Sequence, residues 1–244
     1  MASPQACQKR TVPRLTEYAV VLMSDHVAQP LIFVMKVLIL GATGLVGRNA
    51  LTQALAQPAV TEIIAPTRKP LTKHHKLTNP VTTNLELLLA DVARWRPDAA
   101  ICATGTTINK AGSKKAFRSV DHDLPLAFAQ FAHQAGTQNF ALVSAMGASV
   151  DSSFFYSRVK GELERDVWEI GFRSLTILRP GIIEGDRDDV RFAESLVLKL
   201  SHFLAPVLPK RFHLNPAPKV AEVLVGAILT AEPGCHFRYS DSFV

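Results

Sequence analysis

A tyrosine and a lysine stand four residues apart in FFYSRVKGE (154–162): Tyr156 and Lys160. Upstream, Ser144 lies in the apolar run FALVSA (140–145). These three residue types are suited to moving a proton while a hydride moves to or from a carbonyl. A hydride arriving at carbon leaves oxyanion character on oxygen, and a phenol can protonate it. The ordinary phenol pKa of about 10 is too high for efficient transfer in reverse. An ammonium one helical turn away stabilises the phenolate, and a lowering of about 2 units corresponds to roughly 2.7 kcal/mol. A serine hydroxyl can hold the substrate oxygen by a hydrogen bond. The spacing alone is a weak signal, since the composition produces roughly 0.15 Tyr-x-x-x-Lys pairs by chance. The bland alternative is the wet shoulder of an amphipathic helix, because Phe155, Val159, Leu163, Val167 and Ile170 repeat at helical spacing.

The second motif decides in favour of chemistry. KVLIL (36–40) reads as a buried parallel strand and runs directly into GATGLVG (41–47) and a helical stretch. In such a strand–turn–helix, Gly41 makes the tight turn, Gly44 admits a pyrophosphate and Gly47 lets helix and sheet pack closely. Backbone N–H groups at the helix start then meet the phosphates, so Gly41, Thr43, Gly44, Leu45, Val46 and Gly47 are candidate cofactor residues. The second strand, TEIIAPT (61–67), ends at Arg68-Lys69 with no Asp or Glu to hold a ribose 2′-hydroxyl. A basic residue there suits a 2′-phosphate, so the expected cofactor is NADP(H) in preference to NAD(H), with Arg68 and Lys69 as readers. Asn84 or Asp91 is expected near the adenine.

The elements that must position these residues alternate. NPVTTNL (79–85) reads as a weak third strand, PDAAICATG (97–105) as a fourth, FALVSA as a fifth and SLTILRPG (174–181) as a sixth. Helices follow the first strand, span about 114–135 up to Gly136, and carry Tyr156 and Lys160. The pattern predicts an α/β fold, a Rossmann-type doubly wound parallel sheet, with ligands beyond the carboxyl ends of the strands. Further helices are expected at 193–213 and 218–231. The segment 182–244 is expected to cover the substrate site, with simple capping of the sheet as the equal alternative.

The chain has 244 residues, 48% hydrophobic and 20% charged, which fits one globular domain over 35–244. Residues 1–34 read as an amino-terminal extension, disordered or preceding a start at Met35 or Met23, without a secretory-signal layout. The net charge of +6 favours an anionic ligand without implying nucleic acid. No apolar run is long enough to span a membrane, and His74-His75 has no spaced partner for a metal. Three scattered cysteines argue against a disulfide framework and for a reducing, cytoplasmic setting. The expected partner is a small-molecule substrate, with a monomer or homodimer and room for a regulatory protein.

Taken in order, GATGLVG, LVSAMG, YSRVK and LRPG resemble the short-chain dehydrogenase/reductases of the atypical, extended-like kind. More narrowly, ATGTTINKAGSKKAFRSVD, LVSAMGASVDSSFFYSRVKGELE and LRPGIIEGDRDD resemble the Tat-interacting-protein oxidoreductases and their bacterial relatives, over about residues 36–230. The resemblance implies that Ser144, Tyr156 and Lys160 are catalytic and that Lys160 also binds the nicotinamide ribose. It implies that Cys102, Ala103, Thr104 and Gly105 line the adenine-side ribose, and that Pro180, Gly181 and Ile182 lie beside the carboxamide. Asp121 departs from the family, where many extended members have Asn, which weakens a proton-relay role there. Two other functions share the motifs: a non-catalytic NADP(H) sensor, and an NAD-dependent sugar-nucleotide epimerase or dehydratase.

Overall fold

The computed structural model describes residues 34–85, 91–184 and 214–243. Its first element is β1 (Met35–Leu40), in which Val37 to Leu40 are at most 1% exposed. Both faces of that strand are covered because successive side chains point to opposite sides. Val37 and Ile39 pack with Ala50 and Ala54 of α1 (Leu45–Leu55), and Leu38 and Leu40 pack into a second core on the other face. After β2 (Val60–Ile64), β3 (Leu77–Thr78) and the short α2 (Val92–Trp95) comes β4 (Ala99–Cys102), which pairs with β1. Then follow α3 (Ile108–Ala111), α4 (Lys114–Arg118), a π-helical turn (Ser119–Asp123) and α5 (Leu124–Gln134). Next are β5 (Asn139–Val143), α6 (Phe155–Ile170) and β6 (Ser174–Arg179). The chain closes with β7 (Ile183–Glu184), β8 (Asn215–Pro216), α7 (Ala217–Thr230), β9 (Gly234–Tyr239) and a 3₁₀ turn (Ser240–Phe243). The main sheet is parallel in the order β3-β2-β1-β4-β5-β6-β9, with α1 and α7 on one face and α5 and α6 on the other. This is the expected Rossmann-type doubly wound architecture.

Three local expectations need correction. The third strand forms at Leu77–Thr78, ahead of the expected NPVTTNL, where Val81 keeps a single bridge to Thr67. Pro80 has no N–H to donate to a ladder, which limits the strand there. The helix expected over 114–135 is interrupted by the π turn. Pro125 has no N–H for the carbonyl of Asp121, four residues back, and the turn widens at that place. The edge strand β9 escaped the sequence reading because half of GCHFRY is polar or charged; it pairs with β6 from Ser174↔Gly234 to Arg179↔Tyr239.

The carboxy-terminal helix α7 buries Val220, Ala221, Leu224 and Ile228 in the same core as α1. It therefore caps a sheet face, and β9 extends the sheet edge. The helix expected at 193–213, and the extension before Val34, lie outside the described residues.

Gly161 explains how α6 reaches its place. A Cβ there would lie 2.2 Å from the carbonyl carbon of Ser149 and 2.5 Å from the nitrogen of Val150. Only a hydrogen lets this helix lie against the loop that follows β5. Gly161→Ala is expected to cost about 3 kcal/mol of stability through forced displacement of backbone, read as a lowered urea midpoint. An unchanged midpoint would mean that the loop yields freely.

Candidate functional site

The order of the sheet reverses direction between β1 and β4, and the two loops leaving these strands touch. Gly41 has φ +89, and a Cβ on it would lie 2.7 Å from Ala103 and Thr104. A Cβ on Gly47 would lie 1.9 Å from the Gly41 carbonyl oxygen. The fold itself demands both glycines. Gly44 is different: its φ of −77 is ordinary, and its Cβ would meet Gly41 O at 3.3 Å. Its N–H donates to that oxygen at 2.9 Å. Gly44 is the N-cap of α1 and offers no side chain to the first turn, so the opening N–H groups of α1 have no side-chain cap. Uncapped amides behind an exposed Thr43 and Gly44 form a cradle that fits a pyrophosphate. Leu45 packs against the core and Val46 is 5% exposed within it. The side chain of Val46 belongs to the core, and the contact expected of it is through its backbone N–H. Ala103 and Thr104 are half-buried across the junction, and Gly105 is exposed.

Arg68 and Lys69 are both exposed just beyond β2. A residue that sequence reasoning missed braces them. Asn79 donates to Ala65 O at 2.6 Å and Thr67 Oγ1 at 2.8 Å, and accepts from Leu71 N at 2.8 Å. Thr67 in turn donates to the Lys69 carbonyl at 2.6 Å. The basic loop is thus tied at its root while its two cations face solvent. The only signal in the sequence was an Asn before Pro80, a common turn pair. Of the two residues expected near the adenine, Asn84 is exposed and Asp91 pairs with Arg94 at 3.3 Å.

At the carboxyl ends of β4 to β6, α6 carries Tyr156 and Lys160. Tyr156 is 37% exposed and its ring lies 5.6 Å from that of Phe117. Lys160 is 3% exposed, with Nζ 2.8 Å from Oδ1 of Asp121. Burial works to lower its pKa, but Asp121 and then Tyr156 outweigh burial and hold the ammonium above the ordinary lysine value. Asp121, undervalued in the sequence, is 1% exposed, and its Oδ2 accepts from Thr106 N at 2.8 Å. It therefore links the loop after β4 to Lys160. The widened π turn is what brings it inward.

Ser144 continues β5 and is held by its N–H to Leu178 O at 2.8 Å. Its hydroxyl is buried without a well-aligned hydrogen-bond partner among the described residues. Glu164, one turn beyond Lys160, lies near enough to feel that hydroxyl. Burial is the main influence on Glu164 and raises its pKa; Arg179, Ser144 and Lys160 pull the other way. Arg179 grips Glu164 with Nε at 3.0 Å from Oε1, and its guanidinium lies 4.6 Å from the Phe237 ring. Pro180 is buried after β6, and Ile182 is 47% exposed. Gly181 N donates to Asn215 Oδ1 at 2.7 Å, which fixes this loop beside β8. An uncapped helix start where the sheet order reverses fits a dinucleotide.

No protein-family model matches the chain. Among solved structures, the Bordetella bronchiseptica enzyme WbmG in complex with NAD superposes with a TM-score of 0.63 at 14% identity, over 86% of this chain and 74% of that one. The dTDP-4-dehydrorhamnose reductase of Bacillus anthracis, in complex with NADP, gives a TM-score of 0.56 at 14% identity, over 84% and 75%. These likenesses establish the fold. Sequence relatives go further. The mitochondrial protein fmp52 of Emericella nidulans is 38% identical over 183 residues, 71% of this chain and 76% of its own length. The fmp52 of Aspergillus clavatus, also named mitochondrial, is 35% identical over 209 residues, 81% and 88%. Those names overturn the expected cytoplasmic setting. Cysteine count and globular composition bear on redox chemistry and folding, and neither carries an address. The narrower likeness to Tat-interacting-protein oxidoreductases remains one of motifs, whereas identity of this extent over most of both chains is a relation of whole domains: the chain belongs to the fmp52 family.

Proposed function

We propose that the protein is an NADP(H)-dependent oxidoreductase of the short-chain dehydrogenase/reductase type, acting between a carbonyl and an alcohol. The observation that carries this reading is the convergence of the glycine turn, the loop after β4, and Lys160 with Tyr156 at one sheet edge. Solved proteins of the same fold hold NAD or NADP. Gly41–Gly47 would hold the pyrophosphate, Ala103–Gly105 the adjacent ribose, and Pro180 and Ile182 the nicotinamide side. The cofactor supplies or accepts the hydride when bound. Tyr156 exchanges the proton at the substrate oxygen, Lys160 lies one turn away to hold the nicotinamide ribose and tune that phenol, and Ser144 offers its hydroxyl to the same oxygen.

Arg68 is the proposed reader of the 2′-phosphate. Titration of the protein with NADPH and NADH should give much tighter NADPH binding. Arg68→Ala should weaken NADPH about tenfold or more and leave NADH within twofold, as expected for loss of a charge-assisted contact. Equal binding of the two cofactors by the unmodified protein would remove the NADP(H) preference, and binding of neither would remove the enzyme reading. Gly44→Ala separates fold from binding: its backbone is compatible with alanine, so the variant should fold and lose cofactor affinity.

A further inference from the structure

The charge around Lys160 is balanced in a way that bears on the direction of the reaction. Two elements other than its own helix bring titratable groups to it, and a third acts through Glu164. From β4 comes Cys102, fully buried, whose thiol burial pushes up to about 12, so that it stays neutral. From the π turn comes Asp121, 2.8 Å from Nζ. From β6 comes Arg179, which does not meet Lys160 but pairs with Glu164, the acid one turn along α6. On α6 itself the titratable neighbours of Lys160 are Tyr156 and Glu164. The Glu164 charge is matched by Arg179, and Cys102 carries none. Asp121 is the carboxylate in contact with Lys160, whereas Glu164 feels that lysine from one turn away and is held by Arg179. A positive charge with a carboxylate in contact projects little potential beyond the pair. A phenolate on Tyr156 would therefore find an ammonium already answered.

We propose that Asp121 is a positioning residue that carries the counter-charge of Lys160, keeps Tyr156 protonated at neutral pH and so biases the site toward carbonyl reduction. The inference rests on the reading of Tyr156 as the acid/base. In reduction, the substrate carbon takes up the hydride from NADPH and the substrate oxygen takes the Tyr156 proton. The C=O bond becomes an alcohol, NADP⁺ is left, and the phenolate recovers its proton from solvent. A tyrosine that is already protonated is ready for this direction, whereas oxidation needs the phenolate first.

The backbone amide of Thr106 holds the other oxygen of Asp121, so the carboxylate has a fixed position between cofactor loop and lysine. An asparagine retains an acceptor for Thr106 and loses only the charge. The test needs no substrate. Phenolate absorbance of the cofactor-free protein is followed against pH, with folding monitored by circular dichroism. Tyr156→Phe identifies which of the three tyrosines is responsible. The unmodified protein should ionise Tyr156 within about one unit of the ordinary value near 10. A phenol that is still protonated where the fold gives way counts as the same result. Asp121→Asn should move the midpoint down by at least one unit, and Asp121→Ser should do the same if the asparagine variant does not fold. An unmodified midpoint below about 8, or a folded Asp121→Asn variant with no downward shift, overturns the proposal. Absence of NADPH binding would strike the enzyme reading alone, because the titration is measured without cofactor.

Discussion

Tyr156→Phe is expected to lower NADPH-dependent reduction of a carbonyl compound by about 10²–10⁴-fold and to leave NADPH affinity within twofold. The substitution removes one hydroxyl and keeps the ring. Tyr156 is 37% exposed, and its contact with Phe117 is between rings, so packing is retained. Lys160 keeps its place through Asp121, so the proposed ribose contact remains. What is lost is the group that gives the proton to the substrate oxygen. The measurement is steady-state turnover with the most reactive member of an aldehyde and ketone panel, beside a fluorescence titration of NADPH. Turnover within threefold of the unmodified protein would exclude Tyr156 as the acid. Loss of binding together with turnover would assign it a cofactor role instead. A protein that binds NADPH and reduces no carbonyl compound, with or without Tyr156, would favour the sensor reading.

The local geometry of the candidate site was legible in the chain because it depends on local spacing. Strand, glycine turn and helix follow one another within 21 residues, from Met35 to Leu55, and the four-residue step from Tyr156 to Lys160 places both on one side of α6. Gly161 signalled a close approach, although its partner, the Ser149–Val150 backbone, became visible only in three dimensions. What was not legible depends on contacts between distant segments. Asp121 meets Lys160 across 39 positions, by way of a π turn ahead of Pro125 that a smooth helical reading passes over. Glu164 and Arg179 are both charged residues that composition would place at the surface, yet they sit paired beside Ser144. The edge strand β9 joins the sheet through backbone bonds, and its polar side chains hide it from pattern reading.

The Glu164–Arg179 pair supplies the other large effect. Arg179→Met is expected to cost about 3–5 kcal/mol at neutral pH, because Glu164 would be left charged, 5% exposed and without its bidentate partner. The pH dependence has a definite sign. Burial already holds the folded-state pKa of Glu164 above its ordinary value of 4.5, and removing Arg179 removes the main opposing influence. The native state then holds a proton that the unfolded state gives up, so stability falls as pH rises through the folded-state pKa. The loss should therefore be largest at neutral pH and above, and shrink as the solution is acidified toward the unfolded value, where the carboxyl is neutral in both states. Urea unfolding of the variant from neutral to mildly acid pH measures this directly. Glu164→Gln in the same chain should recover part of the loss at neutral pH by removing the stranded charge. A cost independent of pH would mean that Arg179 stabilises through its packing on Phe237, 4.6 Å away, and that Glu164 is already neutral in the native protein. Either result bears on the candidate reaction centre, since Glu164 is one turn from Lys160 and feels its charge, and Arg179 is what keeps Asp121 the dominant carboxylate beside that lysine.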